Sequence, residues 1–168
     1  MNDLDNIPVM LDNMAHELAR LLEQSGCDNP AMVGIHTGGV WVAEELHRRL
    51  GLSEPLGSLD ISFYRDDFTR IGMNPVVRPS RLPFSIDDRH IILVDDVLHT
   101  GRTIRAAMNE LFDYGRPASI LLATLVERDG RELPIQANVV GNHTRLSTAQ
   151  HIKLLGPEPL VLEIKQVS

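Results

Sequence analysis

Two segments of this chain each combine an apolar stretch, a polar loop and a helical pattern in that order, and this limits the possible folds more than any other feature. The first spans residues 31–50 and reads AMVGI, HTGG and VWVAEELHRRL. The second spans residues 91–114 and reads IILV, DDVLHTG and RTIRAAMNELFDY. Strands that alternate with helices are typical of a mostly parallel sheet covered on both faces. We therefore predict an α/β fold whose ligand binds at the carboxyl ends of the strands.

The other segments fit one domain of this kind, and 168 residues suffice for a real hydrophobic core. Apolar residues at helical spacing predict a first helix over residues 9–24. Residues 65–88 hold prolines and charges with little periodicity, which indicates a long loop, and such a loop in a compact domain is usually functional or mobile. The remaining strand patterns cover residues 57–64, 118–126, 138–141 and 160–167.

The stretch from residue 95 to residue 103 has the features of a monophosphate-binding site. Gly101 allows the backbone to approach a ligand closely, and the first N–H groups of the following helix face that ligand with the positive end of the helix dipole. Thr100 and Thr103 add hydroxyl donors. The stretch lacks the lysine of a Walker A loop and the G-x-G-x-x-G pattern of dinucleotide-binding proteins. We expect it to meet the polar loops HTGG and ERDGRE at one edge of the sheet.

Asp95 and Asp96 begin this stretch, and their ionised carboxylates can only accept hydrogen bonds. They suit hydroxyl groups, a cation or a developing positive charge. A sugar phosphate offers a phosphate at one end and a diol in the middle, and Mg²⁺ could bridge that diol to further phosphates. The alternative is that the two aspartates only cap the next helix. The residue pattern alone leaves both interpretations open.

The stretch IILVDDVLHTGRT, residues 91–103, resembles over its full length the motif with which type I phosphoribosyltransferases bind 5-phosphoribosyl 1-pyrophosphate (PRPP). The resemblance implies the type I phosphoribosyltransferase fold: a Rossmann-like, mostly parallel sheet flanked by helices, with a small hood and a flexible lid loop. It implies that Asp95 and Asp96 are the catalytic carboxylates, which bind the ribose hydroxyls. It also implies a phosphate loop that wraps the 5-phosphate and consists of Val97, Leu98, His99, Thr100, Gly101, Arg102 and Thr103.

Further segments, DISFYRDDFTR, NELFDYGRPASI and GRELPIQANVVG, together with MAHELAR, are similar to the family of bifunctional pyrimidine-operon regulators and uracil phosphoribosyltransferases. This resemblance covers most of the chain. It implies one phosphoribosyltransferase domain over residues 1–168 that converts uracil and PRPP to UMP and pyrophosphate. Mg²⁺ is expected to bind through PRPP, with no metal ligand assigned in the protein. The lid is expected at about residues 64–85, and the hood is expected from the N-terminal segment and about residues 127–168.

The same resemblance assigns further contacts to the substrate. The HTGG loop corresponds to the pyrophosphate loop, so PRPP is expected to contact His36, Thr37, Gly38 and Gly39. Arg78, in the expected lid, is a candidate pyrophosphate contact. Arg128 and the backbone near Thr144 correspond to the part of the hood that binds the base.

Two segments depart from the family pattern. The pyrophosphate loop of the family often carries a basic residue followed by Thr-Arg-Gly, whereas Gly38 stands here in place of the arginine. The RNA-binding face of the family has arginine and lysine where this chain has Gln136 and Asn142. His16 and Arg145 are the candidate RNA contacts, although His16 could equally be a helix-surface histidine without a role. The net charge of −7 also weakens the expected affinity for RNA, which depends on phosphate contacts.

Three functions remain open at this stage. The first is a uracil phosphoribosyltransferase, the second is a UMP-sensing, RNA-binding regulator with little catalysis, and the third is a phosphoribosyltransferase for another base. The PRPP motif says nothing about the base, and the segment GRELPI is what favours uracil. Cys27 is the one cysteine, which favours a reducing cytoplasm. Family members assemble, so we expect a homodimer or homotetramer.

Overall fold

Five parallel strands form the main sheet of the computed structural model, which describes residues 3–61 and 80–167. Their bounds are Ala31–Ile35 for β1, Gly57–Leu59 for β2, His90–Leu98 for β3, Ser119–Arg128 for β4 and Val139–Thr144 for β5. The strand order is β2-β1-β3-β4-β5, and each neighbouring pair is parallel. β2 lies on one side of β1, and β3, β4 and β5 follow on the other side, so the direction in which strands are added reverses between β1 and β3. The carboxyl ends of β1 and β3 therefore form the topological switch point, where open α/β sheets bind ligands.

Helices cover both faces of this sheet, as the sequence predicts. A short 3-10 helix at Asp3–Asp5 precedes α1 (Ile7–Gln24), α2 (Gly38–Leu50) and α3 (Arg102–Tyr114). Successive residues of β3 alternate between two cores: Ile92 and Val94 pack with α1 and α2, whereas Ile91 and Leu93 pack with α3. Because both faces are buried, the inner strands carry apolar residues on both sides and read as continuous hydrophobic runs.

β3 is longer than its apolar residues predict. The sequence indicates a strand that ends at Val94, with Asp95 and Asp96 in the following loop, but β3 continues to Leu98. The neighbouring strand explains the difference, because β4 pairs with β3 from His90 to Leu98, with Asp96 between the paired residues Asp95 and Val97. Pairing with β4 thus keeps both aspartates in an extended conformation although their side chains are polar, since tertiary context overrides intrinsic strand propensity.

Two helices begin two residues earlier than expected. α1 begins at Ile7 rather than at Val9, because Pro8 fits the first turn and Asn6 Oδ1 accepts a hydrogen bond from the N–H of Val9 at 3.3 Å. α2 begins at Gly38, so half of the HTGG loop belongs to the helix. β2 has three residues, and the strand expected to reach residue 64 runs into residues 62–79, outside the described part of the chain.

A two-stranded antiparallel sheet, β6 (Gln150–Leu155) and β7 (Val161–Gln166), completes the described chain within the segment expected to form the hood. β7 is predicted by its sequence, whereas β6 is missed. In β6 only Ile152 and Leu154 are buried, and they alternate with exposed neighbours. An alternation over so few positions is too short to identify a strand from the sequence. The expected lid lies mostly outside the described residues. None of the described helices is long and apolar enough to cross a membrane.

Candidate active site

Two adjacent glycines at the start of α2 lie against the end of β3. An ideal Cβ added to Gly39 would stand 2.7 Å from the carbonyl oxygen of Val94 and 3.0 Å from Cα of Asp95. An ideal Cβ added to Gly38 would overlap the carboxylate of Asp96. Real Cβ atoms do not approach backbone atoms this closely, so only glycine fits at position 39, whereas a side chain at position 38 would displace the carboxylate of Asp96. The loop after β1 and the end of β3 therefore meet at the switch point, as the sequence predicts.

The residues that lead into this contact are fixed by the sheet. The N–H of His36 donates to the carbonyl oxygen of Leu59 at 2.9 Å, which ties the loop to the end of β2. His36 is half-buried and Thr37 is exposed, and the peptide bond between them is cis. The carbonyl oxygen of Thr37 accepts the N–H of Val40 at 3.2 Å, which starts α2. The HTGG loop thus exposes a short stretch of backbone beside the aspartates.

Asp95 and Asp96 are oriented by the backbone that follows them. Asp95 is buried, with 3% of its surface exposed, and its Oδ1 accepts the N–H of Asp96 at 2.9 Å. Asp96 is half-buried, and its Oδ1 accepts the N–H of Val97 at 2.8 Å. Each carboxylate is therefore held by a bond from the next residue, and its orientation does not depend on a ligand.

Helix capping does not explain these aspartates. The N-cap of α3 is Gly101, which has a φ of 95° and no side chain to form a cap bond. The carboxylates of Asp95 and Asp96 instead accept N–H groups of their own neighbours in β3, several residues before α3. Of the two interpretations left open by the sequence, the geometry favours a binding role.

The phosphate loop closes tightly around Gly101. Its positive φ lies in a region that suits glycine, and an ideal Cβ there would stand 3.1 Å from the side chain of Ile135. The N–H of Arg102 donates to Thr100 Oγ1 at 3.2 Å. Leu98 is 1% exposed and packs into the apolar core, so it can offer a ligand only its backbone. The first turn of α3 presents N–H groups without intrahelical acceptors, as an anion site requires.

A second segment, residues 130–133, supports the phosphate loop from the side, and we call it the support segment. The carbonyl oxygen of Thr100 accepts two N–H groups, from Glu132 at 2.9 Å and from Leu133 at 3.1 Å. Arg131 donates to the carbonyl oxygen of His99. The side chain of Glu132 pairs with that of Arg102 at 2.8 Å. The loop ERDGRE thus reaches the phosphate loop, as expected, but the residues that make these contacts were not predicted.

Arg128 and Thr144 are neighbours, because they are paired in the register of β4 and β5. The guanidinium of Arg128 donates to the carbonyl oxygens of Gln150 at 3.1 Å and Ser147 at 3.4 Å. Arg128 is 8% exposed, and its Nε is buried without a hydrogen-bond partner among the described residues. The side chain thus anchors the start of β6 and the turn before it, and leaves one buried donor beside them.

An open pocket of about 350 Å³ adjoins this anchor, and its lining includes Glu127, Arg128, His143, Thr144 and Arg145. Next to it, the pKa of the Asp129 carboxyl lies below its ordinary value, chiefly because the carboxylate accepts the N–H of Leu146 at 3.1 Å. The pKa of the His99 ring is also lowered, first by partial desolvation and then by the charge of Arg128. Because a lowered pKa favours the neutral imidazole, His99 adds little positive charge to the phosphate loop.

The two candidate RNA contacts lie in different pockets. His16 is exposed on α1, and its Nδ1 lies 3.0 Å from the carbonyl oxygen of Asp12, beside an open groove of about 320 Å³. Arg49 also lines this groove, but its guanidinium pairs with Asp12 at 2.8 Å and with Glu45. Arg145 is exposed and lines the pocket beside Arg128. The main positive charge of the groove beside His16 is that of Arg49, and Asp12 and Glu45 already neutralise it.

Metal binding by the protein alone has no support in the described ranges, where no group of three or more His, Cys, Asp or Glu side chains could hold an ion. Asp95 and Asp96 nevertheless offer carboxylate oxygens, which are the ligands that Mg²⁺ prefers together with phosphates. These two residues fit an ion that enters with its substrate. Arg78 lies outside the described residues.

Comparisons with known proteins agree with this architecture. The phosphoribosyl transferase domain family model matches residues 1–153. Among solved structures, a hypoxanthine phosphoribosyltransferase of Trypanosoma cruzi superposes with a TM-score of 0.65 at 22% identity, and the match covers 83% of this chain and 77% of that one. This likeness supports the type I phosphoribosyltransferase fold.

Much closer relatives are found among curated proteins. A bifunctional protein PyrR of Nitrosococcus oceani is 60% identical over 164 residues, which cover 96% of this chain and 93% of that protein. A bifunctional protein PyrR of Pseudomonas aeruginosa is 58% identical over 165 residues, which cover 98% and 97%. Identity of this extent over nearly the full length of both chains shows that this protein belongs to the bifunctional PyrR family of phosphoribosyltransferases.

Proposed function

We propose that this protein transfers the 5-phosphoribosyl group of PRPP to uracil, which forms UMP and releases pyrophosphate. The observation that carries the proposal is the meeting of three parts at one edge of the sheet: the glycines of the HTGG loop, the carboxylates of Asp95 and Asp96, and the phosphate loop. A substrate with pyrophosphate, ribose diol and 5-phosphate matches this order. We further propose that residues 127–168 and the N-terminal segment form the hood over the base.

The chemistry follows from charge. Uracil attacks C1 of the ribose as pyrophosphate leaves, and the transition state resembles an oxocarbenium ion, as in other glycosyl transfers. Asp95 and Asp96 stabilise this positive charge, because their carboxylates are already oriented by backbone bonds. Mg²⁺, bound with PRPP, would neutralise charge on the leaving group. Exclusion of water by the lid would protect PRPP from hydrolysis.

The pyrophosphate contacts of this chain differ from the family pattern. Gly38 supplies a backbone N–H but no guanidinium, so the leaving group depends more on Arg81 and on Arg78. Arg81 is exposed and lies within the segment that we propose as the lid, and backbone bonds of 2.8 Å in both directions join it to Ser58. We expect slower turnover than in relatives that retain the arginine.

An assay with PRPP, Mg²⁺ and a panel of free bases tests the base specificity. We expect formation of UMP from uracil and no nucleotide from adenine, guanine, hypoxanthine or cytosine, measured by absorbance change and by chromatography of the products. Nucleotide from a purine but not from uracil would contradict the uracil assignment. Absence of turnover with every base would leave a nucleotide sensor, which the family relationship does not favour.

We propose that the second function of the chain is regulation through the leader RNA of a pyrimidine operon, with His16 and Arg145 as contacts. Both are exposed, and α1 packs directly on β5, where Gly141 faces Met14. The acidic net charge of −7 makes this binding weak, and the small number of phosphate contacts makes its dependence on salt shallow. We also propose a cytoplasmic homodimer or homotetramer.

Restoring two basic residues should strengthen RNA binding. We expect Gln136→Arg combined with Asn142→Lys to steepen the slope of log Kd against log salt by about 0.7 per added phosphate contact. The measurement is fluorescence anisotropy with labelled leader RNA at several salt concentrations. The control is Gln24→Arg with Asn109→Lys, which changes the net charge equally on α1 and α3. Equal slopes for the two double variants would show that Gln136 and Asn142 do not lie on the surface that binds RNA.

A further inference from the structure

We propose that Arg131 is a positioning residue that holds the phosphate loop in the conformation that binds the 5-phosphate of PRPP. The proposal rests on the proposed function for the identity of the ligand. Arg131 is not among the residues that the sequence indicated as substrate contacts, and its side chain acts through the backbone of the loop.

The contacts of Arg131 run in two directions. One terminal nitrogen of its guanidinium donates to the carbonyl oxygen of His99, inside the phosphate loop. The other donates to Glu127, near the end of β4. The side chains of Arg131 and Glu127 are only 24% and 19% exposed, so water competes little for these bonds. Arg131 therefore bridges a rigid strand and the loop.

Glu127 is itself well fixed. It is paired with Leu98 in the register of β3 and β4, which places it beside the last residue of β3. Its Oε2 lies 3.1 Å from Nδ1 of His143, so both oxygens of the carboxylate have partners. A guanidinium fork bound to a carboxylate held in this way has little rotational freedom. This rigidity is what a side chain needs if it is to fix a neighbouring loop.

The geometry of the peptide unit links this contact to the ligand. In a planar trans peptide, the C=O and the next N–H point in opposite directions. Arg131 turns the carbonyl of His99 toward the support segment, and two N–H groups of that segment turn the carbonyl of Thr100 the same way. The N–H groups of Thr100 and Gly101 are consequently aimed away from the support segment, on the side where we place the 5-phosphate.

The substitution Arg131→Met keeps much of the side-chain volume and removes both donors. We expect it to raise the KM for PRPP by about tenfold, because a hydrogen bond from a charged group is lost. The KM for uracil and kcat should stay within about threefold of the wild type, because the guanidinium bonds to the backbone of the phosphate loop, although the side chain also lines the pocket beside Arg128. Arg131→Lys, which keeps a charged donor, should recover part of the PRPP affinity.

The matched control is Arg20→Met, which removes another Arg–Glu pair, that of Arg20 and Glu17 on α1, far along the chain from the loop. It should leave both KM values unchanged. An unchanged KM for PRPP in Arg131→Met, or a fall in kcat alone, would overturn the positioning role. If Arg131→Met does not fold, Glu127→Ala applies the same test, because it releases the guanidinium from β4 while Arg131 remains.

Calorimetric titration with PRPP and Mg²⁺ separates this inference from the proposed function. If the wild type binds PRPP but converts no base, the uracil assignment fails, and a Kd for PRPP about tenfold weaker in Arg131→Met still supports the positioning role. If the wild type makes UMP and Arg131→Met binds PRPP as tightly as the wild type does, the positioning role fails and the enzyme assignment stands.

Discussion

The double substitution Asp95→Asn with Asp96→Asn is expected to lower kcat for UMP formation by at least about a hundredfold. The two carboxylates lie at the end of β3, where the ribose is proposed to bind, and they stabilise positive charge that is present only in the transition state. Neutral amides bind a diol nearly as well but stabilise that charge poorly. The KM for PRPP should therefore change much less than kcat, which steady-state kinetics with PRPP and uracil can measure.

Folding is not expected to suffer from this change. Asparagine keeps a side-chain carbonyl oxygen, which can still accept the N–H groups that now bond to Asp95 and Asp96. A midpoint of thermal unfolding close to that of the wild type would verify this point. Asp28→Asn combined with Asp113→Asn, at two exposed positions, is the control for loss of two negative charges. Activity near that of the wild type in the double variant would disprove the catalytic role of the carboxylates.

Alanine at each of the two glycines of α2 should produce two different defects. In Gly39→Ala the added Cβ meets backbone atoms of Val94 and Asp95, which cannot move without breaking β3. We expect a loss of about 1–3 kcal/mol in the free energy of unfolding. In Gly38→Ala the nearest atoms belong to the side chain of Asp96, whose carboxylate can rotate away and whose Cβ, at 3.0 Å, needs only a small shift. We expect that variant to fold normally but to lose most of its activity.

Urea unfolding and steady-state kinetics on both variants make each the control for the other. Alanine is a better helix former than glycine, so any effect of helix propensity at these positions is stabilising and opposite in sign to the predicted loss at Gly39. A Gly38→Ala variant with full activity would show that Asp96 is not needed in its present orientation. Equal stability of both variants would contradict the close approach of α2 to β3.

The order of strands and helices could be predicted because each buried strand carries an uninterrupted apolar run. The end of β3 could not, because Asp95 and Asp96 are polar and their extended conformation depends on pairing with β4. β6 could not be predicted for a related reason, because its two buried residues form a recognisable strand only when β6 pairs with β7. Short segments stabilised by a partner that is distant in sequence leave little periodicity of their own.

The candidate site also has a part that the sequence predicts and a part that it does not. The aspartates and the phosphate loop are consecutive in the chain, so their chemistry could be predicted from one stretch of sequence. Arg131 and Glu127 act on His99 from about thirty residues away, and nothing in their spacing indicates this contact. Arg128 was predicted as a contact to the base, and its two bonds to the turn before β6 became visible only in the structure.

The contact between Gly38 and Asp96 has a consequence for how the sequence can change over time. The resemblance to the family pattern places an arginine where this chain has Gly38, and the single substitution Gly38→Arg would add a guanidinium as a phosphate ligand. Yet any Cβ at this position overlaps the carboxylate of Asp96 in the present backbone. An arginine at this position would therefore displace the carboxylate of Asp96 from its present orientation. The phosphate ligand gained in this way would be offset by the loss of a carboxylate that is proposed to act in catalysis.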